Sequence, residues 1–118
     1  MAEVEERIVR ADDELADLTA IHMDLADNAA KAEAAWKRHR DTVIVHTVKN
    51  EERTAADYRE ALARDSIDPI TSKPGHELYE DYKTTEAAAD SSARAMRAIE
   101  ARLNAFQTIA ANIRRASS

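Results

Sequence analysis

The side chains with the most chemistry to offer in this 118-residue chain fall into three groups. They are four histidines (His22, His39, His46, His76), the acidic triplet Asp12-Asp13-Glu14, and Trp36 followed at once by Lys37-Arg38-His39-Arg40. A metal needs converging ligands. His39 and His46 share a helix face, but at about 1.5 Å of rise per residue they stand ~10 Å apart, too far for one ion. No Glu-x-x-His or His-Glu-x-x-His pairing occurs, so neither a helical di-iron nor a zincin arrangement is encoded. The absence of Cys removes disulfides and thiolate ligands. There is no Gly-rich phosphate loop and no Ser/His/acid grouping, and the acidic triplet reads as a solvated helix face. The chain therefore reads as non-enzymatic, with no cofactor and no metal. His22, His39 and His46 read as packed or hydrogen-bonded groups at a helical seam, which can make assembly pH-sensitive.

The stretch Trp36 to Val48, WKRHRDTVIVHTV, supports two kinds of contact. Trp36 lies on the apolar stripe described below, so it reads as core packing. As an exposed aromatic among cations it would instead anchor a protein or stack on a base. Val43, Ile44, Val45 and Val48 cover more of a helix than one neighbour can bury, which makes them, with Trp36, the candidate partner-binding residues. Lys37, Arg38 and Arg40, with Arg114 and Arg115, read as a solvated face or as nucleic-acid contacts. A net charge of −6 disfavours the latter.

These residues must be positioned by helices. Gly occurs once and Pro twice, and the chain is rich in Ala and straight-chain residues, the composition of long helices. Val4, Ile8, Ala11, Leu15, Leu18, His22 and Leu25 recur at alternating steps of three and four, continued by Ala29, Ala32, Trp36, His39 and Val43. Past Val43 the register slips to Ile44, Val48, Ala55, Tyr58 and Leu62, like a stutter. Both prolines and the glycine fall in Asp65–Gly75, DSIDPITSKPG, an interhelical loop with Ile67 and Ile70 tucked onto its tip. From Leu78 to Ile113 a second stripe (Tyr82, Thr85, Ala89, Ser92, Met96, Ile99, Leu103, Phe106, Ala110) alternates four and three throughout.

The fold class expected is all-α: an extended, coiled-coil-like antiparallel two-helix hairpin. Helix 1 covers about residues 3–64, the loop 66–75, and helix 2 about 75–115, in a single unit of 1–118. Facing residues should then sum to about 141, with helices of ~95 and ~60 Å. That leaves 1–26 as an overhanging acidic arm whose Val4, Ile8, Leu15, Leu18 and Leu25 are uncovered. Such a stripe calls for self-association, a homodimer above all, because each buried apolar side chain is worth roughly 1.5–3 kcal/mol. Charge is segmented: −7 over residues 1–30, +2 over 31–64, −5 over 65–93 and +4 over 94–118. No apolar run approaches the ~20 residues of a membrane span, and the N-terminus is acidic, so a cytoplasmic protein is expected.

The segments AAWKRHRDTVIVHTVKNEERTAADYREAL and ARAMRAIEARLNAFQTIAANIRRA resemble a loose group of small helical bacteriophage and prophage proteins. Those carry a basic helix after an aromatic, an Ala/Tyr-rich middle and an Arg-x-x-Ile/Leu-x-x-Leu closing helix, here Arg97, Ile99, Arg102, Leu103, Ile109, Asn112, Ile113, Arg114 and Arg115. The acidic segment 1–30 has no counterpart in the group. The resemblance implies an accessory role in phage DNA replication, recombination or host takeover, exerted through protein contacts. Two other readings stand beside it: a single-stranded nucleic-acid-binding accessory using Trp36, Lys37, Arg38, Arg40, Arg114 and Arg115, and a virion structural or assembly protein.

Overall fold

The computed structural model describes residues 1–47 in full, the helical backbone of 48–50, and residues 56–117. The chain is all-helical: α1 (Ala2–Asn50), α2 (Ala56–Asp65) and α3 (Gly75–Ser117). Glu3 and Glu5 open α1 and Glu77 opens α3, while Arg114 and Arg115 close α3, each complementing the helix dipole.

Among the described residues there are three helices where two were expected, because the segment expected as one helix over 3–64 holds α1 and α2. The Nε2 of His39 lies 2.8 Å from the Ala63 carbonyl. A continuous helix would hold those residues about 36 Å apart, so α2 runs back along α1. No glycine or proline announced this change; the one local signal in the sequence is Thr54-Ala55-Ala56-Asp57, the Ser/Thr-x-x-Asp/Glu spacing of a capping box. What favours it is tertiary: folding α2 back buries Ala63 completely, in one cluster with Trp36 and Leu78. Val48 and Ala55, two members of the slipped stripe, lie outside the residues whose side chains are described. Thr47 is buried, so the stripe runs on from Val43 to Thr47 on the same face.

By contact the chain divides into two units, Met1–Leu25 with Ala88–Ser118, and Ala26–Ala87. In the first, the N-terminal segment of α1 packs on the C-terminal half of α3. Ala11, Ala89, Ser92, Ile99 and Ala110 are its buried residues, and Val4, Ile8, Leu15, Leu18 and Leu25 are all half-buried. The overhanging arm is thus covered by its own chain. Glu14 pairs with Arg102 at 3.1 Å and His22 meets Ser92 at 2.5 Å, a register summing to about 115. The expected 141 counted α2 into the length of the first helix, and its return along α1 shifts the pairing. Ser92 Oγ also donates to the Ala89 carbonyl, so both of its bonds are satisfied when His22 carries its proton on Nδ1.

In the second unit Trp36, Ala63 and Leu78 form the core, flanked by Ala35, Val43, Tyr79 and Tyr82. The Trp36 ring meets Tyr79 edge-on, with centroids 5.2 Å apart. All three helices converge beside it. The Ala63 carbonyl belongs to the last turn of α2, where carbonyls lack intrahelical donors, and His39 of α1 satisfies it. Gly75, the first residue of α3, sits against the same carbonyl so closely that a Cβ there would lie 1.7 Å from the oxygen.

The loop of residues 66–74 is organised by Asp68, and Ile67 and Ile70 do not tuck in: they are 68% and 70% exposed, whereas Asp68 is 2% exposed. Its carboxylate accepts from the Ile70 and Thr71 amides, from Thr71 Oγ1 at 2.6 Å and from Arg38 at 2.6 Å. The Asp68 amide donates to the Lys73 carbonyl, Ser72 donates back to Asp68, and Gly75 donates to the Ser66 carbonyl, with Ile67 bridging Pro74. Ser72 adopts the left-handed region at φ 61° to close the turn. Burial pushes the Asp68 carboxyl up, but the Thr71 hydroxyl, the two amides and Arg38 together outweigh it and hold the group below its ordinary value.

Two outcomes follow from this junction. Gly75→Ala is expected to lower stability by about 2–4 kcal/mol in urea unfolding, because the new methyl meets backbone rather than a movable side chain. A carboxyl with a depressed folded pKa contributes stability that is present above its unfolded value of about 3.9 and lost as pH falls through the folded value. Asp68→Asn should therefore cost about 1.5–3 kcal/mol at pH 7 and flatten the loss of stability below about pH 4, as read from thermal melts across that range.

Candidate functional site

The stretch from Trp36 to Thr47 meets the rest of the second unit through Trp36, His39, Val43 and Thr47, which share one face of α1. Trp36 is 3% exposed, so it packs the core and cannot stack on a base or serve as a surface anchor. Val43 is half-buried against the same cluster and Ile44 is also half-buried, whereas Val45 is 57% exposed. The Val48 side chain lies outside the described residues. The residues grouped in sequence as one partner face thus divide into a core pair, a flank and an outward side chain.

The basic cluster is occupied by the chain's own carboxylates. Lys37 is paired with Glu33, Arg38 reaches Asp68, and Arg40 lies 3.4 Å from Asp41. Arg114 and Arg115 are exposed in the last turn of α3, in the other unit. A phosphate backbone needs cations free to leave their partners, and it gains only the difference.

Asp68 and His39 are the one buried acid–imidazole neighbourhood among the described residues, Nδ1 and Oδ1 standing 3.8 Å apart, beyond hydrogen-bonding distance. Both are 2% exposed and each is held by other partners, so the pair is a structural joint sealed from substrate. Among the described residues no group of three or more His, Cys, Asp or Glu is placed to hold a metal ion. No helix there is long and apolar enough to cross a membrane.

One of the depressions open to solvent is a groove between the C-terminal part of α1 and α2, with a volume of about 450 Å³. Val43 and Leu62 supply apolar walls, and Tyr58 is half-exposed beside them. Thr42, His46, Thr47 and Ser66 complete the lining. It forms because α2 returns along α1: Ala63 turns inward while Tyr58 and Leu62, four apart, face along α1. Sequence reasoning placed Tyr58 and Leu62 on the seam of a single long helix and passed over Ser66 and Asp68. For Asp68 a signal existed, an Asp followed by Pro and, three residues on, Thr, which is the chemistry of an Asx turn.

Comparison with protein-family models, with curated proteins and with solved structures finds no match for this chain.

Proposed function

We propose that this chain is a non-catalytic helical interaction protein that forms homodimers and docks a partner protein on the α1–α2 groove. The observation that carries the reading is the groove itself, where Tyr58 is 49% exposed beside the half-buried Val43 and Leu62. It lies in the stretch where the sequence offers more apolar surface than one neighbouring helix can cover. Occupation of the basic cluster by Glu33, Asp68 and Asp41 ranks direct nucleic-acid binding below this reading. The likeness of residues 34–64 and 93–116 to small phage and prophage proteins supports an accessory role in DNA replication, recombination or host takeover, in the bacterial cytoplasm.

The dimer surface is not the stripe of Val4, Ile8, Leu15, Leu18 and Leu25, which α3 covers. A second series remains on the same segment of α1: Ala2, Val9, Ala16 and Met23 recur every seven residues and all are exposed, Val9 and Met23 at 59% and 67%. A period of seven is the spacing with which one helix keeps meeting another chain. Sedimentation at increasing concentration should show the wild type rising from 13.1 kDa toward twice that mass. The double variant Val9→Glu/Met23→Glu should stay at the single-chain mass with an unchanged melting temperature, because both side chains are exposed. A wild type that holds the single-chain mass throughout ends the dimer claim.

A further inference from the structure

Val9 stands 59% exposed on the α1 stripe, and its neighbours one turn away, at i±3 and i±4, are Glu5, Glu6, Asp12 and Asp13. All four acids are exposed, and among the described residues none of them takes part in an ion pair. A chain that covers Val9 therefore takes water from a ring of carboxylates and must bring cations to offset that loss. The same stripe of a second copy brings none. With the helices parallel it sets carboxylates against carboxylates. With the helices antiparallel it sets Val9 opposite the turn of Met23, whose neighbours are Thr19, Ala20, Ala26 and Asp27.

Another surface of the same unit has what the stripe lacks. Residues 1–30 hold two cations, Arg7 and Arg10, and both line one depression of about 260 Å³ with Ala11, Glu14, Arg102 and Phe106. The Arg7 guanidinium stands 6.0 Å from the centre of the half-buried Phe106 ring, so an apolar floor lies beside cationic walls. Arg7 gives Glu3 one hydrogen bond of 2.9 Å and Arg102 gives Glu14 one of 3.1 Å, which leaves most N–H groups of each guanidinium unspent. Arg10 forms no ion pair among the described residues. A second cationic depression of the unit, lined by Asp90, Ala93, Arg94 and Arg97, has no apolar side chain larger than alanine to receive a valine. Arg10 also lines the hollow beside Val9, with Ala2, Glu5, Glu6 and Asp13. The acid-ringed valine and the arginine-lined floor thus adjoin, on the same turns of α1. A two-fold axis running along α1 sets each copy's stripe on the other's depression at once, and the assembly closes at two chains. We propose that two copies of this chain pair in that way, the Val9 stripe of each seated among Arg7, Arg10, Arg102 and Phe106 of the other. This rests on the reading of the stripe as the dimer surface and names what the stripe meets.

The test is sedimentation equilibrium of the full chain, with circular dichroism to confirm folding. Raising NaCl from about 0.05 to about 0.5 M should raise the dimer Kd about tenfold or more, because the contact joins opposite charges. Asp12→Lys/Asp13→Lys and Arg7→Glu/Arg10→Glu should each stay at the single-chain mass while keeping the wild-type helical signal. Their equimolar mixture should regain the dimer to within about threefold of the wild-type Kd, since the reversed ring then meets the reversed depression and the other contact is native. A dimer that survives Arg7→Glu/Arg10→Glu, or a mixture of folded variants that gains no mass, overturns the proposal and leaves the stripe as a dimer surface. Should a variant fail to fold, the salt series decides: a dimer that salt leaves unchanged or tightens overturns the proposal. A wild type that holds the single-chain mass at every salt concentration ends both.

Discussion

The second unit depends on one carbonyl oxygen, that of Ala63. It sits in the last turn of α2, receives the Nε2 proton of His39 from α1, and is approached by Gly75 at the start of α3. Burying a backbone carbonyl without a donor carries the full cost of desolvation, so the site needs a donor from outside the helix. His39 supplies it through the tautomer that carries a proton on Nε2, and Trp36, one turn earlier, fills the volume beside it. Gly75 lets α3 begin in contact with α2, which in turn places Leu78 and Tyr79 against Trp36. The contacts form one chain of dependence: without the glycine α3 moves away, and without α3 the indole loses its cover.

The loop serves the same end. Its two isoleucines point outward, and the buried position goes to an aspartate, which is uncommon because a buried carboxylate must be paired. Asp68 meets that requirement with donors from three sources: the loop's own amides, the Thr71 hydroxyl, and Arg38 across the helix boundary. Two of these are local, so the turn is largely preformed, and the third ties it to α1. Arg38 is thereby fixed as a structural cation in the middle of a sequence cluster that looks like a nucleic-acid contact.

Much of the fold was legible because it rests on periodicity. The stripe from Val4 to Val43 and the stripe from Leu78 to Ile113 are buried or half-buried at every position. Helix ends at Asp65 and Gly75 follow from the only prolines and glycine in the chain. The separation of α1 from α2 was not read from the sequence, although Thr42 to Val48, Asn50 and Thr54 are mostly weaker helix formers, because no glycine or proline marks it and the gain that decides it is burial of Ala63 against residues far away in sequence. That one unseen reversal carried several errors with it: the pairing register, the uncovered arm, and the assignment of Tyr58 and Leu62 to a seam rather than to a groove. Pairing of Lys37, Arg38 and Arg40 was hidden for a related reason. Glu33 and Asp41 are close in sequence, but Asp68 reaches Arg38 only through the fold.

Charge segmentation does its work within the chain. In the first unit the acidic opening of α1 lies against the basic closing stretch of α3, with Glu14 on Arg102 and Arg7 over the Phe106 ring. Exposed ion pairs contribute little to stability individually, so their number is a poor measure of what they do. Their value lies in the alternatives they penalise. The apolar stripes on α1 and α3 are both built from steps of three and four, and sliding one along the other by a heptad leaves apolar side chains opposite apolar side chains. Packing alone separates such registers weakly, all the more where the facing residues are as small as Ala11, Ala89 and Ala110. Sliding α3 by about two heptads, so that its acidic first half met residues 1–25, would bring like charges together, and repulsion of that kind selects against a wrong register even where it adds nothing to the right one. The acidic start and the basic end of the chain thus favour each other over a pairing that sets residues 1–25 against the acidic first half of α3, while adjacent registers are separated by packing.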